Sequence, residues 1–254
     1  MVITMRANNV LGIIYSNAYD SVLSELTNAR TMGSVPFGGR YRLIDFALSN
    51  LVNCGINKVG IITKSNYQSL MDHIGTGKPW DLSRKRGGMF LLPPFNNSHT
   101  GMYRDRIQAL RGIMRFLEQS KEEYIVLMDT NVVCNFDLND MCRAHTESGA
   151  DITIAYHHGR APRLDDLMTF TFEENQKVAK IALDPKTSNP VDYAMNIILI
   201  SKALLTRLIN NAVSLNQDSF VRDVIQHNLK RLNIYGYEVS GFTSVFDSLQ
   251  SYYD

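Results

Sequence analysis

The sequence predicts an α/β protein with a mostly parallel central sheet flanked by helices. Two observations carry that prediction. Strand-length runs at Val10–Tyr15, at residues 58–63 and at Tyr124–Asp129 are almost continuously apolar, and segments with helical spacing separate them. A strand that is apolar on both faces needs helices on both sides, which is the setting of a parallel sheet. At 254 residues the chain is long enough for a sizeable core.

Each element follows in order. Val10–Tyr15 is a first buried strand. Residues 45–53 have helical spacing, with Phe46, Leu48, Leu51 and Val52 on one broad face, and the pattern stops before Gly55. Residues 58–63 form the second buried strand, which completes a βαβ unit. Residues 107–119 predict a helix, with Leu110, Ile113, Met114 and Leu117 at intervals of three and four. Tyr124–Asp129 and residues 151–156 are further strands. The second half changes rhythm: residues 169–172, a turn at Glu173-Glu174-Asn175 and Val178–Leu183 predict a β-hairpin. A strand at 193–200, helices at 202–211 and 220–232, and a strand at 234–239 complete the chain. No internal repeat, low-complexity stretch or Pro/Gly/Ser-rich linker interrupts it, so residues 1–254 are expected to form one domain.

Composition excludes several classes. Lys plus Arg number 26 against 25 Asp plus Glu, a balance that leaves no electrostatic footprint for nucleic acid or an anionic membrane. Arg84-Lys85-Arg86 is the one dense basic run, and a solvated loop is its ordinary meaning. Cys54, Cys134 and Cys142 have no C-x-x-C spacing and act as small buried hydrophobes in a reducing compartment. The polar residues 1–9 precede an apolar run too short for a signal peptide. No stretch approaches the ~20 apolar residues of a membrane span. The expectation is a cytoplasmic protein.

Several segments together resemble one family. Val35-Pro-Phe-Gly-Gly-Arg-Tyr-Arg-Leu-Ile-Asp-Phe-Ala-Leu-Ser-Asn50 closely resembles the PFGGKYRLIDFALSN stretch of glucose-1-phosphate adenylyltransferases, and Cys54-Gly-Ile-Asn-Lys-Val-Gly-Ile-Ile-Thr63 continues it. His73-Ile74 followed by Trp80, Met102-Tyr103 before Ala109, Tyr124–Asp129, and Ser248-Leu-Gln-Ser-Tyr-Tyr253 extend the likeness over essentially the whole chain. The resemblance implies a Rossmann-like, GT-A-like nucleotidyltransferase domain. It further implies a reaction of ATP with glucose 1-phosphate, giving ADP-glucose and pyrophosphate for glycogen synthesis. Such phosphoryl chemistry needs positioning and charge neutralisation by Mg²⁺, Lys and Arg more than covalent help.

Residue by residue, the resemblance also implies losses. The family's G-G-x-G-x-R-L loop cradles a triphosphate on its backbone N–H groups. Here the span is Ser16-Asn17-Ala18-Tyr19-Asp20-Ser21-Val22, without those glycines or that Arg, and Asp20 would repel a triphosphate. Arg30 remains as a residual phosphate contact, whereas the phosphate-facing lysine becomes Met32. Lys64 stands at the adenine-side Gln, and the G-T-A-D-A turn becomes Asp105-Arg-Ile-Gln-Ala109. The lysine that grips glucose 1-phosphate becomes Asp184, and the S-M-G-I-Y strand becomes Ala194-Met-Asn-Ile-Ile198. Of the two Asp ligands that hold Mg²⁺ in active members, Asp129 is retained at a strand end. The second falls at Val245, with Asp247 two residues on as a possible substitute.

The bland meanings stand beside these. Asp129 is either a relic metal ligand or a strand-end carboxylate capping the turn at Asn131. Arg40 and Arg42 fit packing or an interface better than an anion site. Trp80 fits a half-buried structural residue, His73 has no second ligand beside it, and His157-His158 fits a polar strand edge. The expectation is a domain resembling the D-type, non-catalytic subunit of bacterial ADP-glucose pyrophosphorylase, a regulatory partner of a catalytic subunit in a hetero-oligomer. An active sugar-1-phosphate nucleotidyltransferase with a rebuilt site, and a sensor holding a sugar phosphate or nucleotide, are the alternatives. Family members continue into a left-handed β-helix of hexapeptide repeats, and no such repeats occur in these 254 residues, so that domain is expected to be absent.

Overall fold

A computed structural model describes residues 7–84, 87–94, 103 and 105–254. Residues 1–6, Lys85 and Arg86 of the basic run, and Met102 of the Met102-Tyr103 pair lie outside the described residues. In chain order come β1 (Val10–Tyr15), the single turn α1 (Ser24–Thr27), the short β2 (Pro36–Phe37) and β3 (Tyr41–Arg42), α2 (Leu43–Asn53), β4 (Lys58–Ile62), α3 (Gln68–Ile74) and β5 (Gly88–Leu92). Next are α4 (Arg106–Gly112), α5 (Met114–Gln119), β6 (Tyr124–Asp129), β7 (Val132–Cys134), α6 (Leu138–Ser148), β8 (Ile152–Gly159), β9 (Met168–Phe172) and β10 (Val178–Leu183). The chain ends with β11 (Val191–Ser201), α7 (Lys202–Ser214), β12 (Ile234–Glu238), β13 (Thr243–Val245) and α8 (Leu249–Tyr253).

The nine-stranded main sheet runs β10-β9-β11-β6-β1-β4-β5, with β8 on β11 and β12 on β8. Its centre, β6-β1-β4-β5, is parallel. The long β11 then pairs antiparallel with β6, β8 and β9 and carries the sheet into the less regular half. One apolar cluster lies on each face, and Leu11 and Ile13 point into one while Val10 and Ile14 point into the other. That alternation is why the strand reads as continuously apolar. A third cluster, Leu23, Met32, Val35, Leu43, Val133 and Phe246, packs beneath the segment after β1.

Two helical expectations change in detail. The predicted helix at 107–119 breaks at Ile113 into α4 and α5, and the Tyr103 ring occupies the space beside Gly112, 2.8 Å from where a Cβ would sit. The segment 220–232 opens as a π-helical turn, Phe220–Ile225, followed by a 3₁₀ turn. There the Asp223 carboxylate accepts the Asp218 and Ser219 backbone N–H groups. Among the described residues, no helix is long and apolar enough to cross a membrane.

Candidate functional site

The topology chooses the site. The chain runs from β1 outward to β4 and β5, then returns to place β6 on the other side of β1. In open α/β sheets such a reversal opens a crevice at the carboxyl ends of the strands. The register brings those ends level: Tyr15 pairs with Asp129 of β6 and with Ile62 of β4.

The crevice is filled by an ion pair. The Asp129 side chain is 1% exposed, and the Arg106 guanidinium donates to both of its carboxylate oxygens, at 2.6 Å to Oδ1. The same guanidinium lies between the rings of Tyr15 and Phe220, 5.7 Å from each centroid, within cation–π range. Burial pushes the Asp129 carboxyl above its ordinary value, and Arg106 works against that shift. Burial alone would lower the Arg106 value, but Asp129, Tyr19 and Tyr15 together raise it. The cation therefore stays charged. Asn196 completes the group: it too works against the upward shift of the Asp129 carboxyl, and its amide donates to the Tyr19 hydroxyl at 2.8 Å. Its φ of +54° puts it in the left-handed region that favours glycine, at the position where the resemblance places a glycine. Burial also lifts the Tyr15 and Tyr19 hydroxyls to about 12, so both stay neutral.

The loop after β1 is tied to itself. Asn17 donates to Asp20 at 2.7 Å and to the Ser65 carbonyl at 3.4 Å, and its Oδ1 accepts the Lys64 N–H at 2.6 Å. Asp20 also accepts the Met32 N–H at 2.8 Å. Burial raises the Asp20 carboxyl to about 6, opposed by Asn17, Met32 and Lys64. Ser16 donates to the Ile62 carbonyl at 2.8 Å, Ala18 is buried, and Val22 packs against the third cluster. The Asn17 and Asp20 side chains, which stand where a glycine-rich loop would face a phosphate, thus have partners within the chain.

The other predicted positions scatter. Met32 is fully buried in the third cluster. Arg30 is half-buried, with its charge near Tyr252. Ala194 is buried in β11. Asp184, at a φ of +48°, accepts the Leu167 N–H at 2.9 Å and lines a cavity of about 690 Å³ with Arg160, Arg163 and Lys186. Val245 lies opposite Val132 in the β13–β7 ladder, while Asp247 accepts the Arg163 N–H at 2.7 Å. Arg42 donates to Ser69 and receives an Asp45 cap, His73 pairs with Asp45 at 2.6 Å, and the Trp80 ring lies edge-on to His73. His157 bonds the Val239 carbonyl and His158 bonds Asp192. Asp129 thus has a partner that neither of its two expected roles named. Sequence reasoning missed Arg106, Asn196 and Phe220 as site residues. Charge balance was the available signal, because a buried strand-end carboxylate without its metal requires another cation.

Mg²⁺ does not fit these residues. It binds through one or two carboxylates plus waters and substrate phosphates. Here both oxygens of Asp129 face a guanidinium, and Val245 supplies no oxygen ligand. Among the described residues no three His, Cys, Asp or Glu side chains gather into a metal-binding group.

A strand-end crevice at a switch point in a mixed sheet is the architecture of a Rossmann-like fold. The nucleotidyl transferase family matches residues 12–240, and the chain belongs to that family. It is 31% identical over 249 residues to the glycogen biosynthesis protein GlgD of Bacillus subtilis, covering 98% of this chain and 63% of that protein. It is 28% identical over 263 residues to a glucose-1-phosphate adenylyltransferase of Clostridium kluyveri, covering 98% and 66% respectively. The chain therefore spans about two thirds of the length of these relatives. A putative glucose-1-phosphate thymidylyltransferase from Bacillus anthracis, solved in complex with sucrose, shares the fold at a TM-score of 0.75 and 18% identity, covering 95% of this chain and 92% of that one.

Proposed function

We propose that this chain serves bacterial glycogen biosynthesis in the cytoplasm as a non-catalytic, regulatory partner of a glucose-1-phosphate adenylyltransferase. It would join a catalytic subunit in a hetero-oligomer and shift that subunit's rate, substrate affinity or effector response. The partner's active state would then be stabilised by differential contacts. The observation that carries this reading is the Arg106–Asp129 pair, which fills the crevice where an active member would hold Mg²⁺ and a nucleotide. The likeness to GlgD and to glucose-1-phosphate adenylyltransferases supplies the pathway.

The test is ADP-glucose synthesis by this chain alone, by a cognate catalytic subunit alone and by the two mixed. The expected result is silence from the chain alone and a mixture that differs from the catalytic subunit in rate or effector response. Turnover by the chain alone would favour a rebuilt nucleotidyltransferase site. A second reading, a sensor of a sugar phosphate, draws on the cavity lined by Arg160, Arg163 and Lys186. Thermal stabilisation by glucose 1-phosphate without turnover is its signature.

A further inference from the structure

We infer that Arg106 is a built-in replacement for the divalent cation, so that the crevice excludes the metal by occupying its seat with the chain's own charge. Three features of the pair carry this. First, Asp129 is 1% exposed at the end of a central strand, and a carboxylate there requires a cation at hand. Second, one guanidinium nitrogen, Nη2, donates to both carboxylate oxygens, which sets the positive charge directly against the whole carboxylate. Third, the cation is held in place from the sides: Tyr15 and Phe220 flank it, and only 17% of the Arg106 side chain is exposed.

An incoming divalent ion would have to displace this cation or sit against it. Neither is favourable, because arginine cannot lose its proton at any ordinary pH and like charges in a partly buried site repel strongly. A lysine could deprotonate and withdraw; this group cannot. Exclusion is therefore permanent rather than pH-gated. It also removes the anchor through which a Mg²⁺–nucleoside triphosphate complex would dock on Asp129. This inference concerns the metal alone, and it stands or falls separately from any effect on a catalytic partner.

Mn²⁺ is the probe. Binding would be followed by electron paramagnetic resonance and by thermal midpoint in buffers of matched ionic strength, with wild type, R106Q and the double variant R106Q/D129N. Wild type should show no site that depends on Asp129. R106Q, which keeps most of the stem and removes the charge, should gain one, with Mn²⁺ bound on the order of tenfold or more tighter than by wild type and with a raised midpoint. The double variant should lose that site again. An Asp129-dependent Mn²⁺ site in wild type overturns the inference. So does a folded R106Q that gains none. Should R106Q prove too unstable to isolate, R106M takes its place: it removes the charge and keeps an apolar stem. It should gain the same Asp129-dependent Mn²⁺ site, and a folded R106M that gains none overturns the inference.

Discussion

The strand-end crevice and the cavity beyond β9 and β10 are built on opposite terms. Beneath β1 and β6, polar groups bond to one another: Arg106 to Asp129, Asn196 to Tyr19, Asn17 to Asp20 and to the Lys64 N–H. Beyond β9 and β10, residues 160–164, Leu167 and residues 184–188 line a cavity of about 690 Å³ with Arg160, Arg163, Lys186 and Asp184 on its walls. Leu167 and Asp184 bond each other there. The difference teaches how a binding site closes. A buried polar group without a ligand is costly to leave unpaired. At the strand ends Asp129, Asn17 and Asp20 have internal partners, although Thr63 Oγ1 and Asn131 Oδ1 are buried without one among the described residues. The cavity faces water and carries no such pressure.

The largest test breaks the buried pair. R106A and D129A should each cost about 3–5 kcal/mol of stability in urea unfolding, because each strands an uncompensated charge. The double variant R106L/D129L should regain most of that loss, since an apolar pair of similar volume does not need the compensation. A double-mutant cycle reads the coupling directly. Single losses below about 1 kcal/mol would place the pair with surface ion pairs and undo the contrast between crevice and cavity.

The second test uses pH. Asp20 holds its proton up to about 6 in the folded chain, against 3.8 for an ordinary Asp. The folded state thus binds more protons than the unfolded one between about 4 and 6, and stability from this group falls as pH rises through that window, by at most about 3 kcal/mol. His145 acts in the opposite sense. Burial lowers it to about 4, so the unfolded chain binds more protons from about 4 to 6.5 and stability rises with pH. D20N should therefore leave the His145 slope unopposed, and its stability should fall more steeply than that of wild type on acidification below about 6. Parallel pH profiles for the two proteins would show that Asp20 is not buried against its charge.

These expectations also mark what the sequence made legible. β1, β4 and β6 were readable because central strands are apolar on both faces, a local property. The π-helical turn at 220–225 was not, because Asp223 turns back onto the Asp218 and Ser219 N–H groups and overrides a 3.6-residue pattern. In the site, the segment from Ser16 to Asp20 and Asp129 were found through a resemblance carried by neighbouring motifs. Arg106 was not, since its partner lies 23 residues away and across the sheet end. Local spacing cannot report a charge pair made by tertiary approach. Asn196 was noticed only as a missing glycine, although it keeps the left-handed backbone and adds an amide that bonds Tyr19.

A smaller effect sharpens the comparison at the loop. N17A removes the acceptor of the Lys64 N–H and a donor to Asp20 in a partly buried setting. It should cost about 1–3 kcal/mol, the range for stranding buried hydrogen-bonding groups. A near-neutral result would mean that water reaches the loop and that the crevice is less closed than its bonds suggest.

The smallest expected effect lies at the cavity. Arg160 and Arg163 are exposed, so R160A and R163A should each change stability by no more than about 0.5 kcal/mol. Arg163 also contributes its backbone N–H to Asp247, and that bond survives the substitution. Any consequence should appear instead in ligand response: if wild type is stabilised by glucose 1-phosphate, the double variant R160A/R163A should lose that stabilisation while unfolding at the wild-type midpoint. Loss of both together would make these arginines structural, and the crevice and the cavity would then differ in exposure alone rather than in what they remain free to bind.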